Sequence, residues 1–344
     1  MAIEFKKTVE RTVVLDPSAG FAPKEVSLET RWDPLTGETS RLFEVQWKGE
    51  KPNLREMYRA AIEGFCPFCP DNLERVTPKF PEEFIPEGRL KRGRAVVFPN
   101  QRPFDKLAAV VVLGERHFVT LEELDLDLLL EGLLAARSFL QRASQWDPSL
   151  RHFAINWNLL PPAGGSVVHP HLHAVAGGHP TNHVRKVEEA SLAYWRAHGR
   201  PYWLDLWQEE KKRGERYLGE VEGLPWILTF APKGYGEVLT LFPGEGSLLQ
   251  LPEERLRAFV MGLGRLLNFW SDYGVYSFNL VLYGGGREPV EGFWVHARAL
   301  VRRVIPPAGA SDVSAFQTLH DQPIIYTFPE KLRQKMQPYF EAQR

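Results

Sequence analysis

The chain has 344 residues, long enough for two ordinary domains or one domain with a duplicated core, and its 44% apolar and 25% charged residues are usual for a soluble globular protein. Forty-two basic against 43 acidic residues leave a net charge of −1, which gives no footing for a nucleic-acid partner. No apolar run approaches the roughly 18 residues of a membrane span, and "MAIEFKKTVERTVV" lacks a signal-peptide core, so the expectation is a cytoplasmic protein with no membrane partner.

An N-terminal extension, roughly residues 1 to 90, carries "RWDPLTGE" and both cysteines, Cys66 and Cys69, in "CPFCPDN". Two cysteines exclude a disulfide scaffold by number. A lone CxxC is half a metal site or a redox pair. The redox reading needs a strand before the motif and a helix starting at it, whereas Pro70, Asp71 and Asn72 read as a knuckle-like turn. The basic cluster "GRLKRGR" reads as a solvated turn.

An internal repeat follows. "RAVVFPNQRPFDKLAAVVVLGERHFVTLEELDLDLLLEGLLAARSFL", "FAINWN" and "HPHLHAV" return as "PWILTFAPKGYGEVLTLFPGEGSLLQLPEERLRAFVMGLGRLLNFW", "SFNLVLYGGG" and "WVHARAL". Each copy reads as two strands, a helix opening on acidic residues, and two further strands split by a glycine-containing loop. With little room for helical crossovers, the sheets should be mainly antiparallel and the fold class α+β. Between the copies, roughly residues 182 to 220 read as helix, break and second helix. The tail "PEKLRQKMQPYFEAQR" reads as a terminal helix beginning after a proline. Two units are expected: residues 1–181, holding the extension and first copy, and 182–344, holding the linker helices, a degenerate second copy and the tail.

Three of ten histidines fall in five residues, His169, His171 and His173. The second copy puts Trp294, His296 and Arg298 at the matching positions, so the triplet answers a chemical need rather than a structural one. Alternation along a strand aims all three at one face, and Pro170 places them at a strand start or edge. Neutral imidazole is both a nucleophile and a zinc ligand, and one lone pair cannot do both.

The chain resembles the galactose-1-phosphate uridylyltransferase family, a branch of the histidine-triad superfamily. The match is carried by "RWDPLTGE", "CPFCPDN", "FPNQRPF", "LGERHFVTLEEL" and "NWNLLPPAGGSVVHPHLH". The resemblance implies two tandem histidine-triad-like halves and a structural zinc on Cys66, Cys69, His117 and His169. In the second copy Ser247 stands where His117 does, consistent with one site. His171 then corresponds to a nucleophile that attacks the α-phosphorus of a nucleoside diphosphate-sugar, forming a nucleotidyl-histidine and later passing the nucleotide to a sugar phosphate or phosphate. Its other ring nitrogen needs an acceptor, expected to be a backbone carbonyl.

By the same resemblance Gly164, Gly165 and Ser166 would approach phosphate oxygens, with Asn158 nearby, Asn100 on the nucleoside and Arg31 on the phosphates. His173 stands where the transferases carry glutamine; histidine there is more typical of nucleotidyl hydrolases, which keeps hydrolysis as the alternative reaction and non-catalytic nucleotide binding as the alternative class. At its ordinary pKa His173 would exchange protons near neutral pH. Glu188 could match a glutamate of a second metal site, but His296 has no paired histidine, so that site is not expected. Relatives form homodimers, and the aromatic linker "YWRAHGRPYWLDLW" is the surface expected to serve the interface.

Overall fold

The computed structural model describes residues 3–45, 52–306 and 308–341. The extension forms a long hairpin of β1 (Lys7–Asp16) and β2 (Ala22–Trp32), then β3 (Thr39–Leu42). Three short helices follow, α1 (Leu54–Met57), α2 (Arg59–Glu63) and α3 (Pro70–Val76). The first copy supplies β4 (Leu90–Arg92), β5 (Ala95–Pro99), β6 (Leu107–Leu113), α4 (Leu126–Trp146), β7 (His152–Leu159) and β8 (His171–Gly177). The linker supplies α5 (Asn182–His198) and α6 (Tyr202–Arg213). The second copy supplies β9 (Tyr217–Val221), β10 (Leu224–Leu228), β11 (Val238–Leu241), α7 (Glu253–Asp272), β12 (Phe278–Gly286) and β13 (His296–Val301). The chain closes with a hairpin of β14 (Val304–Ile305) and β15 (Ala310–Ser311), then α8 (Ala315–Thr318), β16 (Ile324–Ile325) and α9 (Pro329–Glu341). Helix α9 opens on a proline, as expected; residues 342–344 of the expected tail lie outside the described residues.

The fold is α+β. Ten strands form one sheet in the order β4-β5-β6-β8-β7-β12-β13-β11-β10-β9, every neighbouring pair antiparallel. The second five mirror the first five in reverse, so the repeat appears as two half-sheets joined where β7 pairs with β12. The apolar stripes of α4 and α7 cover one face: Leu133, Ala136, Leu140, Phe259, Leu263 and Leu266 are at most 2% exposed and share a core with Leu172, Ala174 and Leu280.

The other face is covered unevenly, and that opens a site. Over the second half, Val187 of α5 and Tyr202, Trp203 and Leu206 of α6 pack on Ile227, Leu239, Leu241, Phe293 and Trp294. The linker aromatics therefore cover the chain's own sheet, which corrects their expected use as a subunit interface: burying apolar area within the chain satisfies them first. Over the first half, Leu73 and the half-buried Phe68 lie on Phe98, Val110 and Val112 in a smaller cluster. Pro170 precedes a strand start, one of the two expected placements, and its carbonyl accepts from Leu113 N at 2.9 Å; β8 is interior, between β6 and β7, so the edge alternative does not hold. Pairing begins at His171, after the proline, so the missing donor costs the ladder nothing.

Candidate active site

Alternation along β8 buries Leu172 and Ala174 against α4 and puts His171 and His173 on the less covered face. His171 pairs with Val112, and His173 with Val110 and Asn156. The two imidazoles lie 5.0 Å apart between centroids. Phe68 meets His171 edge-on at 5.2 Å, and Phe104 meets His173 at 5.3 Å. His171 Nδ1 lies 2.8 Å from the carbonyl oxygen of His169. A carbonyl only accepts, so Nδ1 carries the proton and Nε2 keeps its lone pair. Burial pushes the His171 pKa down, against that hydrogen bond, so the ring stays neutral at neutral pH. Burial and then His171 push His173 down to about 4, and its Nδ1 has no partner. His173 is therefore a neutral base in the free site, which corrects the expectation of a pKa near neutrality.

The knuckle brings its donors together. Cys66, Cys69 and His117 each offer a ligand atom within 4.8 Å of one another, and His169 Nδ1 lies 3.8 Å from both sulfurs. A tetrahedral ion with zinc-like bond lengths sets neighbouring ligand atoms roughly 3.5–3.8 Å apart. His169 Nε2 donates to Gly114 O at 2.9 Å, which leaves the Nδ1 lone pair aimed at the sulfurs. Cys66, Cys69 and His117 thus form a group that could hold a thiophilic metal, with His169 next to the two sulfurs. Cys69 caps α3, so a helix does start at the motif, but α2 rather than a strand precedes it. Burial and the neighbouring Cys66 push the Cys69 thiol up to about 11, the reverse of a redox-active cysteine.

Between β7 and β8 the chain turns through Leu160, at φ 67°, and Gly164, at φ 87°, where a side chain would be strained. A Cβ on Gly165 would sit 2.7 Å from Asn158 O, so the loop closes onto β7 only with glycine there. Ser166 is exposed on this loop. The β7–β8 pairing ends where Asn156 faces His173, and Asn158, two residues further along β7, alternates onto the same sheet face as Asn156. Asn100 is half-buried at the end of β5, and its Oδ1 accepts from Arg102 N at 3.0 Å.

Arg31 is not brought to this site. It is 2% exposed, with its guanidinium on Glu29, Glu330 and Phe230 O. It is corrected to a structural ion-pair residue, since burying a guanidinium demands such partners. Glu188 lies beside His152, Oε1 3.8 Å from Nδ1, away from His296, which stacks against Trp203 at 4.6 Å. Phe68, Phe104 and Gly114 also shape the site, and only their nearness to the recognised motifs could have marked them.

No protein-family model matches the chain. An uncharacterized protein of Archaeoglobus fulgidus is 28% identical over 330 residues, 96% of each chain. Among solved structures, an ADP-glucose phosphorylase from Arabidopsis thaliana with bound ADP-glucose superposes at TM-score 0.70 and 15% identity, covering 92% of this chain and 99% of that one. A uridylyltransferase superposes at 0.66 and 20% identity, covering 92% and 99%. A GalT-like protein from Arabidopsis thaliana superposes at 0.71 and 16%, covering 90% and 98%. The chain therefore shares the overall fold of these structures, with its ten-stranded sheet built as two halves. That fold is the one shared with galactose-1-phosphate uridylyltransferase-like proteins, in agreement with the resemblance read from the motifs.

Proposed function

We propose that the protein is a nucleotidyltransferase that moves a nucleoside monophosphate from a nucleoside diphosphate-sugar to a sugar phosphate or to phosphate. The observation that carries this reading is the His171–His169 carbonyl bond, which leaves Nε2 with its lone pair on the less covered sheet face. Nε2 attacks the α-phosphorus; the N–P bond forms and the P–O bond to the sugar phosphate breaks. The acceptor's oxygen then attacks the same phosphorus, and the N–P bond breaks. One site serves both substrates in turn, so kinetics are ping-pong. Gly164, Gly165 and Ser166 offer donors to the phosphate oxygens, Asn158 a further one, and Asn100 a contact for the nucleoside. A zinc ion fits Cys66, Cys69, His117 and His169 as a structural tie, with no open position for chemistry. The similarity to a structure holding ADP-glucose supports a nucleotide sugar as donor.

The test is intact mass after mixing the protein separately with ADP-, UDP- and GDP-glucose. An added nucleoside monophosphate with one of them is the expected result, and its identity assigns the base. A chain that binds a nucleotide sugar but never gains mass is a binding protein. Hydrolysis remains the second reading on one observation: His173, neutral beside His171, can accept a proton from water.

A further inference from the structure

The second half reaches into the site by a chain of polar side chains. Asn279 of β12 donates from Nδ2 to Asn158 Oδ1 at 2.6 Å and to Ala163 O, just before the glycine loop, at 2.8 Å. Arg302, just past β13, donates from Nη1 to Asn279 Oδ1 at 2.9 Å. Asp312 holds Arg302 through Nε and Nη2 at 2.9–3.3 Å. Each link dictates the next. A guanidinium only donates, so Asn279 must present its oxygen to Arg302 and its NH2 to β7. Asn158 must answer with its own oxygen. Its NH2 group, which has no protein partner among the described residues, is left turned away from Asn279, on the sheet face that Asn158 shares with Asn156.

The two faces of an asparagine amide have nearly the same shape, so only this network decides which one the site receives. The difference is large for a phosphoryl group in transfer. An N–H donor stabilises its oxygens, whereas a carbonyl oxygen repels them. We infer that Asn279 and Arg302 are positioning residues that hold Asn158 as a hydrogen-bond donor to the transferred phosphoryl group. The inference rests on the nucleotidyl-transfer reading and gives the second half, which lacks the histidine triplet, a part in the chemistry of the first.

The test is Asn279→Asp, which preserves size and keeps an acceptor for Arg302 but cannot donate. Asn158 must then turn its NH2 toward residue 279 and its oxygen toward the phosphate. With the nucleoside diphosphate-glucose that labels the wild type, the single-turnover rate of adduct formation should fall roughly 100- to 1,000-fold, in line with loss of one aimed donor. The half-saturating concentration and the melting temperature should stay close to wild type, which a merely structural role would not allow. Arg302→Lys retains a donor to Asn279 and should keep most of the rate, whereas Arg302→Met should lose it. Asn279→Asp reacting as fast as wild type overturns the inference. Equal losses in Arg302→Lys and Arg302→Met, matched by lowered melting temperatures, also overturn it, because packing would then explain the effect. If the wild type itself forms no adduct with any of the three nucleotide sugars, the transfer reading fails, and this inference with it.

Discussion

His171 and His173 are two residues apart and differ in one hydrogen bond, and that difference assigns their chemistry. His171 Nδ1 is tied to a carbonyl, so its Nε2 is a fixed nucleophile. His173 Nδ1 has no partner, and Phe104 closes one side of its ring. His171→Asn should abolish the nucleotidyl adduct and leave metal content unchanged, read by intact mass and metal analysis; an adduct on that variant places the nucleophile elsewhere. His173→Gln removes a base while keeping a polar group, so it should suppress free nucleoside monophosphate more than nucleotide exchange. An unchanged product ratio would restrict His173 to holding phosphate. Glu188 shows the same control of protonation by burial. With Oε1 unpartnered near His152, burial raises its pKa to about 7. A carboxyl raised on folding stabilises fully below its unfolded value, and that stability is lost as pH rises to the folded one. Glu188→Gln should therefore gain on wild type by about 1–2 °C in melting temperature between pH 4.5 and pH 8, for roughly 1 kcal/mol of differential stability. A gap that does not change with pH would show that Glu188 is already ionised.

At the scale of elements, what could be read from sequence was whatever is written in local periodicity. The alternation of His171 and His173, the stripes of α4 and α7 and the break between α5 and α6 at Gly199 are all local patterns. The position of β8 inside the sheet was not, because Pro170 reports only its own missing donor and not which strands flank the residues after it. Nor were Asn279 and Arg302 legible as site residues, since their place depends on the β7–β12 pairing between the halves. Arg31 shows the converse: a motif residue can match and still be held by Glu29 and Glu330 in the fold. The knuckle is where motif and structure meet most directly. Beside the short helix α3 and the cluster around Leu73, it is held by the buried Arg89, which donates to Leu73 O and Thr77 O, and by Asn72 Nδ2 on Cys66 O; a metal bound by the proposed donors would add to these ties. Cys66→Ser should lower zinc content from about one per chain and lower thermal stability with it. Metal-free protein that melts at the wild-type temperature would separate the knuckle from folding.

For the whole molecule, the open question is what covers the β1–β2 ribbon. Every residue of β1 except Asp16 is exposed, and β1 is the edge strand of its sheet. Val13, Leu15 and Phe21 near the ribbon's tip are 62%, 60% and 66% exposed, with Val9, Val14 and Val26 also uncovered. A two-stranded ribbon exposed on both faces is marginal in water, and an unpaired apolar edge invites a partner strand or surface. Tyr202 and Trp203 of the linker are already buried inside the chain, whereas the ribbon gathers several exposed apolar side chains along one edge strand. We propose this ribbon as the surface of the expected homodimer. Light scattering at micromolar concentration should give twice the chain mass, and Val13→Lys combined with Leu15→Lys should halve it. The ribbon stands outside the core around α4 and α7, so the double variant should fold. It should also still form the nucleotidyl adduct, because none of its substitutions touches β8 or the glycine loop. A wild-type monomer, or a double variant that stays dimeric, would take the ribbon out of the assembly.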